Sequence, residues 1–226
     1  MTITAKPALG QSPAGIPADG LQKVKETVPP PRLRRSAYST DQALTAFESL
    51  LIWAARLPLT PELTGHPLYQ VQAVKALVGL RTADPSAPLI NYAITLCDHD
   101  LEANDTTAYF KIDHAELGNT VAVHELEAAL STGASDEVFQ QLGRLLLVTD
   151  NKNFLFDILL DVAARAPETA RQLAPFIHYC QRAADFTGRG NLTDFLYPAA
   201  CALAGSKPSL ERRVFDAPLN PWEVLP

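Results

Sequence analysis

Three histidines stand among carboxylates: Asp98-His99-Asp100, Asp113-His114-Ala115-Glu116 and His124-Glu125-Leu126-Glu127. Imidazole nitrogens and carboxylate oxygens are the donors that hold zinc and related divalent ions. A fold that brought two of these rings within about 5 Å of each other, joined by a carboxylate, would make a metal site. His99, His114, His124 and Glu125 are therefore the candidate ligands, and a divalent metal ion is the candidate cofactor. The spacings that accompany such sites are missing. His124-Glu125 begins like the zinc-protease His-Glu-x-x-His, but Ala128 occupies the place of the second histidine. No histidine has a glutamate three residues before it, so the paired Glu-x-x-His of di-iron bundles is absent. The expectation is solvated helix ends and faces with no cofactor.

Nucleophile and phosphate signatures are also missing. The sequence has no Gly-x-Ser-x-Gly, no Gly-x-x-x-x-Gly-Lys and no Gly-x-Gly-x-x-Gly. Thr187-Gly188-Arg189-Gly190-Asn191 reads as a turn between helices rather than an anion cradle. His66, directly before Pro67, reads as a helix cap or surface residue. His178, among Phe176, Ile177 and Tyr179, reads as a partly buried helix residue. Cys97, Cys180 and Cys201 each lie in an apolar run with no disulfide spacing, which predicts buried free thiols and a reducing, cytoplasmic compartment.

The residues best suited to recognition lie at the two ends. Residues 1–38 are rich in proline, glycine and alanine, without helical periodicity. Val28-Pro29-Pro30-Pro31-Arg32-Leu33-Arg34-Arg35 favours an extended polyproline II path. Pro29, Pro30, Arg32, Arg34 and Arg35 suit docking on a protein surface, because proline lowers the entropy lost on ordering and arginine pairs with carboxylates through a two-pronged fork. Residues 206–226 carry Val214, Phe215 and Trp222 in another irregular stretch, and such side chains are unfavourable in water. The docking surface is either this chain's own body, a second copy or another protein.

Charge bounds the partners. The 226 residues carry a net charge of −6, which argues against nucleic acid as a partner. Residues 1–40 hold Lys6, Lys23, Lys25, Arg32, Arg34 and Arg35 against Asp19 and Glu26, a net +4, leaving −10 for the rest. The first residues lack the apolar core of a secretory signal, and no apolar run approaches the roughly 18–20 residues needed to cross a bilayer, so membrane insertion is not expected.

The body between the arms, residues 39–205, must position everything else. Ser39-Thr40-Asp41-Gln42 is a capping box for a first helix with Leu44, Phe47, Leu51, Ala54 and Ala55 facing inward. Further helices are predicted from His66-Pro67, over 86–101, from Asn104-Asp105-Thr106 to Gly118-Asn119, from Thr120 to Ser131, from Ser135, and from Asp150-Asn151. Another starts at Ala166-Pro167, where Pro175 should kink or shorten it. The last runs from Asn191 to Gly205, a candidate left-handed end residue. The predicted core includes Phe47, Leu51, Val74, Ile94, Leu142, Leu146, Phe154, Ile158, Phe176 and Phe195. Apolar positions recur at helical spacing throughout, without strand alternation. The expected fold is all-α: an antiparallel bundle or short α-solenoid of about 8–9 helices with extended tails. The expected function is a non-catalytic helical subunit or adaptor of a larger cytoplasmic assembly. The alternative is a helical metal- or cofactor-binding enzyme with its site near His99, His114 and His124.

Overall fold

The structure, a computed structural model, describes residues 34–60, 62–97 and 123–208. Among these the chain is all-α, with eight helices and no strand: α1 Thr40–Ala55, α2 Pro67–Gly79, α3 Ala87–Cys97, α4 Val123–Thr132, α5 Ser135–Val148, α6 Lys152–Ala164, α7 Pro167–Thr187 and α8 Leu192–Ser206. Single 3-10 turns at Leu63–Gly65 and Arg189–Asn191 lead into α2 and α8. The helix predicted over 104–118, the end of the one predicted to reach 101, the start of the one predicted from Thr120, and residues 209–226 of the C-terminal arm lie outside the described residues.

Local chemistry sets most of the helix starts. At α1 the Ser39 hydroxyl accepts from the Gln42 N–H and the Gln42 side chain accepts from the Ser39 N–H, a complete capping box. Asn151 Oδ1 accepts from the Asn153 N–H at 3.0 Å and opens α6. Pro67 and Pro167 occupy the first positions of α2 and α7, where the missing N–H costs nothing.

Consecutive helices pack pairwise, as short connections require, but the bundle is closed by contacts distant in sequence. α8 packs against α1, α4, α5, α6 and α7, and α1 and α2 pack against α7. A solenoid would bury each repeat only on its neighbours. This is a bundle built around α8. Ten of the 15 residues of α8 are buried, Pro198 among them, as expected for a helix apolar on most sides. α1, α2 and α3 form one layer against α7 and α8, while α4, α5 and α6 pack on the other side of α8 or beside it.

The structure corrects several details. Phe154 is 39% exposed and Phe156 is fully buried in its stead. Phe154 shares its face of α6 with Asp157 and Asp161, three and seven residues on, and that face meets solvent. Leu44 is exposed for the same reason, lying between Asp41 and Glu48 on α1. Leu146 is half-buried. Pro175 does not shorten α7, which continues for 21 residues. It is exposed, and the carbonyl it deprives of a partner belongs to Arg171, also exposed. The left-handed residue after α8 is Lys207 (φ 45°), not Gly205, and Pro208 follows it.

Candidate functional site

The N-terminal arm meets the body through one asparagine. Asn91 Nδ2 donates to the Arg35 carbonyl at 2.8 Å, and the Arg35 N–H donates back to Asn91 Oδ1 at 3.2 Å. A side-chain amide thus engages both backbone groups of one arm residue, as a neighbouring strand would. The Tyr38 hydroxyl donates to the same Oδ1 at 2.8 Å, and Tyr38 is buried just before the Ser39 cap. Thr40 Oγ1 donates to the Thr82 carbonyl, fixing the start of α1 to the end of α2. A shallow groove of about 290 Å³ lies between Ser36–Tyr38 and the connection at Asp84–Pro88. Arg34 and Arg35 are exposed where the arm leaves the body. Of the other predicted docking residues, Pro29, Pro30, Arg32, Val214, Phe215 and Trp222 lie outside the described residues.

The candidate metal ligands are only partly placed. His124 and Glu125 are exposed in the first turn of α4, while His99 and His114 lie outside the described residues. Among the described residues no three His, Cys, Asp or Glu side chains converge. The thiols are shielded. Cys97 and Cys180 are buried and Cys201 is half-buried, correcting the third of those expectations. Burial pushes the Cys97 thiol up to about 12 and the Cys201 thiol up to about 11, and raises Cys180 as well, so all three stay protonated and poorly nucleophilic. The glycine-rich turn closes on itself: Gly188 takes φ 85° and Asn191 Nδ2 donates to the Thr187 carbonyl at 3.0 Å. His178 is exposed on α7 rather than partly buried.

No protein-family model, curated protein or solved structure matches this chain. Its chemistry must be read from its own geometry.

That geometry places a second polar group along the seam between the α1–α3 layer and α7–α8. Arg56 Nε lies 2.8 Å from Asp194 Oδ1, and its NH2 group donates to Oδ2 at 3.2 Å, a two-pronged pair almost sealed from water. His66 is buried rather than at the surface, and it does cap α2: its Nδ1 accepts from the Leu68 N–H at 3.2 Å. Gln72 donates to the Tyr179 carbonyl at 3.3 Å. The Lys75 ammonium sits 4.2 Å from the centre of the Phe186 ring, and burial, with Arg182 nearby, lowers its pKa. Arg56 and Asp194 are 138 positions apart, and no local pattern pairs them. Tyr38 did carry a signal: an apolar residue just before an N-cap is the position of a hydrophobic staple, and Ala43, its counterpart, is buried too.

Proposed function

We propose that this chain is a non-catalytic helical subunit or adaptor of a larger cytoplasmic protein assembly, docking through its extended arms. The observation that carries the reading is the grip of Asn91 on the Arg35 backbone. It sets where the arm departs from the body. A basic, proline-rich segment that starts from a fixed base loses less freedom on binding than one hung from a mobile end. Arg34 and Arg35 remain exposed beside that base, where they can meet carboxylates of a partner or of a second copy. The acidic body of a second copy has the complementary charge.

The test compares the full chain with a truncated chain of residues 34–208, which keeps Tyr38, Arg35 and Asn91. Melting temperature is read alongside mass in solution by light scattering and binding to partners isolated with the full chain. The expected result is near-native melting with loss of association, and association of the full chain that weakens with salt. A truncated chain that melts far lower, from a full chain that never associates, would mean that the arms wrap their own body.

A further inference from the structure

We propose that His66 is an acid-sensitive latch that holds the α1–α3 layer to α7 when neutral and releases it when protonated. The ring is fully buried where three elements meet. Its Nδ1 accepts from the Leu68 N–H at the start of α2, so that nitrogen carries no proton. The ring proton therefore sits on Nε2, 3.3 Å from the carbonyl of Leu57, just past the end of α1. The ring packs perpendicular to the Phe176 ring of α7, with centroids 5.4 Å apart and planes at 84°. Both ring nitrogens are satisfied in the neutral form alone. A second proton would point at the Leu68 N–H, abolish the α2 cap and bury a cation.

Among the described residues the surrounding charges offer no rescue. From the end of α1, Arg56 is already neutralised by Asp194 of α8. From the 3-10 turn, Glu62 is exposed, and from α2 and α7, Tyr69 and Tyr179 face each other at 4.5 Å. Lys75 and Arg182 are cations, and Arg171 and His178 of α7 are exposed. Burial lowers the imidazole pKa and the Leu57 carbonyl only partly opposes it. The sign follows: a depressed folded pKa gives stability that is complete above the ordinary imidazole value and is lost as pH falls through the folded value. The released layer includes α3, which carries the arm's anchor Asn91. The latch is independent of what the arm binds.

Amide hydrogen exchange on the full chain, corrected for intrinsic rates, tests this between pH 7 and 5. The open fraction of amides over 63–71 should rise by up to roughly tenfold per pH unit below the ordinary histidine value, while amides over 142–159 lag behind. His66→Asn keeps a good N-cap but cannot titrate, so its 63–71 amides should lose that slope. Should this variant fold poorly, ring NMR of the unaltered protein decides alone. The His66 ring should stay neutral well below the ordinary imidazole value of about 6.5. An equal pH slope in His66→Asn, titration of His66 at or above the ordinary imidazole value, or opening of 142–159 in step with 63–71 would overturn the latch.

Discussion

The two halves of the bundle are held by different chemistry. Between α4, α5, α6 and α8 the interior is dry. Leu126, Leu130, Val138, Leu142, Leu155, Phe156, Leu159, Phe195 and Leu196 are buried, and the Phe139 and Tyr197 rings stack at 5.2 Å. At its rim Arg165 of the α6 end pairs with Glu127 of α4 and Asp161, and α5 adds the shielded side-chain atoms Arg144 Nε and Gln141 Oε1. The seam between the α1–α3 layer and α7–α8 is also closely packed, yet it encloses Arg56, Asp194, His66 and Gln72. Apolar packing tolerates many rearrangements of similar volume, whereas a buried ion pair or capped histidine is satisfied in one register only. The dry half supplies stability. The seam supplies a defined and titratable docking of one layer on another, and it makes that docking sensitive to any change that leaves a charge unpaired.

Substitutions at three places sharpen or break this contrast. The largest effect is expected in the dry half. Phe156→Ala should lower unfolding free energy by about 3–5 kcal/mol in denaturant titrations, because a fully enclosed ring leaves a cavity. Phe154→Ala, two residues away, should cost well under half of that. Equal losses would show that α6 is rotated from the orientation described. The next effect belongs to the seam. Arg56→Ala should cost about 3 kcal/mol, since it removes the two-pronged cation from the buried Asp194 carboxylate; the slight exposure of Arg56 keeps the figure at the low end. The double substitution Arg56→Met with Asp194→Leu should recover most of the loss. If it is as unstable as the single variant, the pair does more than fix register. The smallest effect is at the edge of the dry half. Gly133 lies between α4 and α5 at φ 73°, and a Cβ there would come within 3.1 Å of the Ala204 carbonyl and 2.9 Å of Lys207 Cε. Gly133→Ala should lower stability by about 1–2 kcal/mol, from backbone strain rather than cavity formation. A neutral result by thermal melting would mean that the end of α8 yields to the turn.

Much of this was legible in residue order. The capping box at Ser39, the caps His66 and Asn151, and the helix-starting prolines are local signals read over a few residues, and each appears where the pattern puts it. Phe154 shows where such reading failed. Phe154 and Phe156 are nearly equivalent by composition, and the clue lay in Asp157 and Asp161 on the same face as Phe154. The candidate site was legible in part. Arg34 and Arg35 are exposed, but nothing near Asn91 in sequence marks it as the anchor of residue 35, 56 positions away.

Residue order alone was enough for everything governed by periods and caps: an all-α chain, most helix starts, most of the core, and the contrast between a basic N-terminal segment and an acidic remainder. These depend on neighbours within about one helical turn, where backbone geometry already determines which side chains meet. Tertiary structure decided that the helices close into a bundle around α8 rather than extend as a solenoid, that Arg56 finds Asp194, that His66 is walled in by Phe176, and that Asn91 grips the arm. Each of these joins groups far apart along the chain. Whether such groups meet depends on how whole helix faces pack, because the energy that selects one partner is gained only after water has been excluded from both.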